Sequence, residues 1–175
     1  MVCALGQPKG SLDPQKPIKE FTLTQWTTQA GLSSNNITSV FQSSDGLLWV
    51  TSFNGFMVFD GETFDVYDRN TLPILQTDGF YKVEETTPGV LFLASQGTGL
   101  IRYEKGKFEV YQPKLGKVSK AIRTLHYDGN GTLFIGSQNA GLFRLKNDTL
   151  AAIAHPELEQ ATILSIVQDK GGNVW

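Results

Sequence analysis

Few residues in this sequence have side chains that could do chemistry, and their spacing decides which chemistry is open to them. His126 and His155 are its two histidines. A hydrolytic triad needs a nucleophile, a base and a group to orient the base, and no G-x-S-x-G elbow accompanies either histidine. His126 alternates with Leu125 and Tyr127 and reads as a packed or surface strand residue, while His155, before Pro156, reads as a loop residue. Glu84-Glu85 and Glu157/Glu159 offer carboxylates. Adjacent strand positions face opposite sides, so Glu84 and Glu85 are a poor catalytic pair and read as solvated surface charge. Gly97-Thr98-Gly99 has the small residues of a phosphate cradle, but neither a following helix nor a G-x-x-x-x-G-K-S/T pattern goes with it, and it reads as a turn. Cys3 is the single cysteine, which leaves no internal disulfide and no cysteine metal site. The expectation is a chain with no catalytic residue, no metal and no cofactor.

Composition narrows the partners. With 175 residues, 40% of them hydrophobic, the chain is long enough to bury a sizeable core. A net charge of −2 with scattered Lys and Arg provides no basic stripe for nucleic acid. No run approaches the ~20 apolar residues of a membrane-spanning helix, so membrane attachment is expected only through parts of a protein that this sequence lacks.

The elements that must position any site follow from an internal repeat. Ile37, Phe80, Ile122 and Ile163 open four units, and Val40, Val83, Leu125 and Ile166 come three residues later. Gly46, Gly89, Gly131 and Gly172 follow, each with an aromatic three positions on: Trp49, Phe92, Phe134 and Trp175. A second half repeats as Gly55-Phe56, Gly99-Leu100 and Gly141-Leu142, then Phe59, Tyr103 and Leu145, then Phe64, Phe108 and Leu150. The dense apolar runs, rich in β-branched and aromatic types, suit strands packed on both faces. Ser-Asp-Gly at 44–46, Asp-Gly at 60–61, Gly-Asn-Gly at 129–131 and Asn-Asp at 147–148 supply the positive φ of tight antiparallel turns. A period near 42 with four short strands per unit is that of a β-propeller blade.

The spacing therefore predicts an all-β chain: an incomplete β-propeller of four-stranded antiparallel blades, about three and a half in number. Blades are expected at about 37–67, 80–111 and 122–153, with a partial one at 162–175. Residues 21–26 are spaced like the last strand of a further blade and are a candidate closing strand. Residues 1–20 form an N-terminal tail. Its apolar start, MVCALG, is open to two readings, the end of a signal peptide or an ordinary tail.

These columns resemble the two-component regulator propeller repeat, an apolar opening followed by D-x-x-G-x-(I/L)-W, G-(L/I)-x-x-(Y/F) and F-x-x-Y. Asp169-Lys170-Gly171-Gly172-Asn173-Val174-Trp175 matches the second element closely, and Asp128-Gly129-Asn130-Gly131-Thr132-Leu133-Phe134 matches it with Phe for Trp. In the first unit the aspartate stands displaced at Asp45, and the second unit, with Thr86-Thr87-Pro88-Gly89, has lost the acid. Gly99-Leu100-Ile101-Arg102-Tyr103 and Phe108-Glu109-Val110-Tyr111 fit the later elements. The resemblance implies the extracytoplasmic sensing part of a bacterial membrane receptor, whose output domain would be a histidine kinase or a diguanylate cyclase absent here. It implies a periplasmic location and a fragment of a longer protein.

In an up-and-down blade the strand 1–2 and 3–4 turns share one side of the disc, and the strand 2–3 loops and inter-blade connections share the other. The second side carries the longer loops, 27–36, 69–79, 112–120 and 154–161, and variable loops on a rigid scaffold are where binding concentrates. Asn54, Gln96, Gln138 and Asn139 lie there, with amides suited to sugar hydroxyls or backbone groups. They are the candidate ligand-binding residues. The ligand is an unknown small molecule, with a carbohydrate or a protein partner as the options, and a homodimer of two half-rings is a further expectation. The function read from the sequence is a non-catalytic sensor module; the alternatives are part of a carbohydrate-active propeller enzyme, a lyase or glycosidase, or a protein-interaction scaffold.

Overall fold

Apolar side chains fill both faces of the middle strands across 37–152, and there both faces are buried. That pattern makes sheets stacked face to face. A computed structural model describes residues 2–6, 15 and 17–175. After β1 (Val2–Gly6) and β2 (Thr22–Trp26) come three four-stranded antiparallel sheets. The first holds β3 (Ile37–Gln42), β4 (Leu48–Ser52), β5 (Gly55–Phe59) and β6 (Phe64–Tyr67). The second holds β7 (Phe80–Thr87), β8 (Val90–Ser95), β9 (Leu100–Glu104) and β10 (Lys107–Val110), and the third β11 (Ile122–Tyr127), β12 (Leu133–Ser137), β13 (Leu142–Lys146) and β14 (Thr149–Ala152). In each, neighbours in sequence are neighbours in the sheet. The first strands β3, β7 and β11 lie side by side, so the sheets fan out from a common inner edge. This is the blade arrangement of a propeller, and it is open rather than a closed ring.

Register explains why the repeat columns hold. Val40, Val50, Met57 and Val66 form one cross-strand row, and Leu125, Ile135, Phe143 and Ala152 form its equivalent two blades on. Rows of this kind point back toward the preceding element. Rows one residue out of step point forward: Trp49 and Phe56 pack with Phe80, Leu91, Leu93 and Ile101 of the second blade. Phe92, Ala94 and Leu100 in turn pack with Ile122, Leu125, Leu133 and Ile135 of the third. Behind the first blade, Val50 and Met57 are covered by Leu32 and Trp26, the latter edge-on to Phe59 at 5.2 Å.

The segment in front of the first blade differs from a lone closing strand. β2 is hydrogen-bonded to β1, in a register running from Val2 opposite Trp26 to Gly6 opposite Thr22. The expected tail thus includes a strand at Val2–Gly6, while residues 1, 7–14 and 16 of it lie outside the described residues.

The fourth unit forms its first hairpin only in outline. Val167 and Trp175 exchange backbone hydrogen bonds at 3.0 and 2.8 Å around a bridge from Gln168 to Val174. Its lead-in presses on the third blade at Gly136, where a Cβ would come within 2.8 Å of the Ile163 side chain, so only glycine admits so close a strand.

The turns correct two readings of the sequence. The aspartate column of the hairpin turn is Ser43, Asp128 and Asp169: each donates its amide to the carbonyl four residues on, at 3.0, 3.1 and 3.0 Å. Asp45 is not a displaced copy. It accepts a bond from Ser43 Oγ, which in turn accepts from Trp49 Nε1 at 3.1 Å, so serine and aspartate together do what Asp169 does for Trp175 at 3.1 Å. Glu84 and Glu85 are not free surface charge. Glu85 reaches back to the first blade, accepting from Ser44 N and Oγ, both at 2.8 Å, and Glu84 reaches forward to accept from Tyr127 N of the third at 3.0 Å. The period of two that separates them as a catalytic pair is what lets them join opposite neighbours.

Candidate functional site

The loop side of the fan holds all four amides singled out in the sequence. Asn54, Gln96 and Asn139 are exposed and Gln138 is half-buried. A serine ends the second strand of each blade and fixes the loop beneath them. Ser52, Ser95 and Ser137, fully buried, donate from Oγ to the carbonyls of Gly55, Gly99 and Gly141 at 2.9, 2.8 and 2.7 Å. The backbone ties each loop to the next connection: Gln96 N to Gly79 O at 2.8 Å, Gln138 N to Ala121 O at 3.0 Å, and Gly55 N to Asp78 O at 2.7 Å. Asn54 N donates to Ser52 Oγ at 3.0 Å, which leaves its side chain outward. Asn139 is different. With φ at 56°, its side-chain Oδ1 accepts from Thr162 Oγ1 at 2.8 Å and its backbone N–H donates back to the same hydroxyl at 3.1 Å, so it braces the loop to the fourth unit.

Beside these amides lies a row that reading the sequence did not find. β3, β7 and β11 each shift register after their first residue, at Thr38, Tyr81 and Arg123. A bulge of this kind re-aims one side chain. Tyr81 meets the exposed ring of Phe53, in the first blade's loop, edge-on at 5.5 Å, and the Arg123 guanidinium lies 4.4 Å from the centre of the Tyr81 ring. Thr38 is turned inward instead, donating to the Phe80 carbonyl at 2.7 Å. The signal for this row is the column after each opening apolar residue, which reads Thr38, Tyr81, Arg123 and Leu164 while its neighbours stay constant.

The charges on this side are unequally satisfied. Asp68 accepts from the amides of Asn70 and Thr71 at 2.8 and 2.9 Å, and the Thr71 amide bond first holds its carboxyl below the usual range. Asp78 takes both the amide and the Nε of Arg69, at 2.9 and 2.8 Å, which closes loop 69–79 on itself. Glu157 and Glu159, in loop 154–161, are exposed. Arg123 has no carboxylate in ion-pair contact among the described residues, and its buried Nε has no hydrogen-bond partner there.

A groove of about 710 Å³ lies elsewhere, on the forward side of the third blade, and is lined by Phe134, Arg144, Lys146 and Ala151. On the first and second blades the equivalent surface bears Trp49 and Phe92 and is covered by the following sheet. That groove is a stacking surface of the fold. On the opposite, turn side, Asp128 is a turn cap: burial raises its pKa, the amides of Thr132 and Asn130 outweigh that, and the net shift is downward. His126 Nε2 faces Gln168 Oε1 at 3.3 Å, and no ion pair to an acid involves it among the described residues.

Comparison with known proteins matches this geometry. Residues 31–54, from the approach loop through β3 and β4 into the first strand 2–3 loop, match the family model described as two component regulator propeller. Among solved structures, the chain is similar to the extracellular domain of BT4673 from B. thetaiotaomicron, described as a hybrid two component system. The TM-score is 0.68 at 24% identity, over 88% of this chain and 22% of that one. A second structure of that domain, described as belonging to a one component system, gives a TM-score of 0.69 with the same identity and coverage. The extracellular domain of BT3049 from the same organism, also described as a hybrid two component system, gives 0.53 at 21% identity, over 87% of this chain and 28% of that one. The chain thus spans between a fifth and a third of the length of these structures, and the likeness is one of fold. No curated protein matches it.

Proposed function

We propose that this chain is a sensing module of a bacterial signalling receptor: a non-catalytic stack of propeller blades, outside the cytoplasm, that binds a small molecule on its loop side. The observation that carries the reading is the loop side itself, where buried serines and backbone ties hold outward-facing amides and an aromatic–arginine row on rigid strands. The family match over 31–54 and the extracellular domains that share the fold support the sensor role. Binding, rather than turnover, fits a side whose polar groups are amides, one arginine and capped carboxylates, with no base–nucleophile pair assembled among the described residues. In a two-membrane bacterium the location is the periplasm, and the output is a kinase or cyclase elsewhere in the receptor. Asn54, Gln96 and Gln138 contact the ligand, and Asn139 holds the loop beside it.

The test is a thermal-shift screen of the 175-residue chain against oligosaccharides and small metabolites, repeated with an Asn54→Ala/Gln96→Ala/Gln138→Ala variant. The expected result is a rise in melting temperature with one chemical class, lost in the variant. Stabilisation that the triple variant keeps would move the site off this side of the fan, and conversion of a screened compound would make the module an enzyme.

A further inference from the structure

We infer that the Phe53–Tyr81–Arg123 row is an anion subsite, so that the ligand carries a carboxylate or sulfate beside an apolar ring face. The inference rests on the binding side proposed above and specifies what it recognises. Two bulged inner strands, β7 and β11, and the loop after β4 bring these residues together from three different blades. Packing does not account for Phe53, which is 48% exposed and stabilises little by burial.

The arginine is the informative residue. Its guanidinium is held over Tyr81 at 4.4 Å by a cation–π contact, and its buried Nε lacks any acceptor among the described residues. A buried polar group without a partner calls for a specific explanation, such as a bound ion. No carboxylate among the described residues provides one: Asp78 pairs with Arg69, Glu84 with Lys82, and none of the ion pairs involves Arg123. The Nη end of the same half-buried guanidinium has no hydrogen-bond or ion-pair partner among the described residues either, and a carboxylate or sulfate seated there pairs the charge in the planar geometry that suits arginine better than lysine. Phe53, edge-on to Tyr81 and open to solvent, is then placed to cover the apolar face of the ring that bears the anion.

The experiment is calorimetric titration of the chain with oligosaccharides bearing uronate or sulfate groups, each beside its carboxyl-reduced or desulfated counterpart. Arg123→Gln, Arg123→Lys and Phe53→Ala are compared with the parent chain, and circular dichroism confirms that each is folded. The expected result is an acidic member that binds at least about tenfold more tightly than its neutral counterpart, with that preference gone in Arg123→Gln, partly kept in Arg123→Lys, and affinity reduced in Phe53→Ala. Raising salt from about 0.05 to 0.5 M is expected to weaken binding, because an exposed charge pair is screened. Uronate and sulfate probes separate the two sources of negative charge. Equal binding of acidic and neutral members, unaffected by Arg123→Gln, would overturn the anion subsite and leave the sensor reading standing. Failure of every acidic and neutral member to bind would count against both.

Discussion

The Glu85 carboxylate accepts the Ser44 amide at 2.8 Å, so an acid of the second blade caps a turn of the first. The same carboxylate takes Ser44 Oγ at 2.8 Å and, on its own hairpin, Gly89 N at 2.7 Å. It thus closes the Thr-Pro-Gly turn that lacks the aspartate of the other units. Truncating it leaves two amides uncapped. Glu85→Ala is expected to lower unfolding free energy by about 1–3 kcal/mol. A double-mutant cycle with Ser44→Ala should show a coupling of at least ~0.5 kcal/mol, read by urea denaturation, and strict additivity would refute the bridge.

One aromatic column passes from core to surface along the chain. Trp49 is 2% exposed, Phe92 6% and Trp175 74%. The cost of truncation should follow. Trp49→Ala and Phe92→Ala are each expected to cost about 3–5 kcal/mol, whereas Trp175→Ala should stay within ~0.5 kcal/mol, as surface changes do. Equal losses at Trp49 and Trp175 would mean that the fourth unit is packed as tightly as the first.

Asp169 is a local reporter of turn capping. Its carboxyl is lowered to about 2 by the Asn173 side chain, then the Asn173 amide, then Trp175 Nε1. A depressed folded-state value means that the carboxylate form holds the turn. Its contribution is therefore complete above the ordinary value of 3.8 and is lost as pH falls toward 2. Carbon-13 NMR titration of the side-chain carboxyl should give a midpoint near 2. Trp175→Phe removes one donor, and the midpoint should rise toward the ordinary value; an unchanged midpoint would remove the indole from the account.

Much of this was legible in the sequence, for a reason that particular residues make plain. Trp49 and Phe92 recur in step because each points at the next sheet and must fill the same gap, so packing imprints the period on the chain. Asn54, Gln96, Gln138 and Asn139 were placed on one side by topology alone. What stayed hidden depends on contacts between blades. Phe53, Tyr81 and Arg123 are far apart in sequence and meet only because register shifts after the first residue of β7 and β11. The partners of Glu84 and Glu85 lie on different neighbours. Ser43 took the aspartate's place by recruiting Asp45, a substitution that a motif reading registers as a displaced acid.

The serine column makes the loop side testable from beneath. Ser95 Oγ donates to Gly99 O and accepts from Thr98 N at 2.9 Å, both buried. Ser95→Ala orphans Thr98 N and leaves Gly99 O with the Ser95 amide at 3.2 Å alone; it is expected to cost about 1–3 kcal/mol and to speed amide exchange at Gln96 and Thr98. Exchange rates unchanged at these positions would show that the serine does not hold the loop.

The most direct test of a binding, non-catalytic loop side is a single nitrogen-15 NMR titration of the labelled chain with the best-binding compound, following the compound's own proton spectrum alongside. The predicted result is shifts confined to Phe53, Asn54, Tyr81, Gln96, Arg123 and Gln138, with the compound unchanged at the end. Shifts centred on the opposite turns at 44–46 and 128–132, or conversion of the compound, would contradict it.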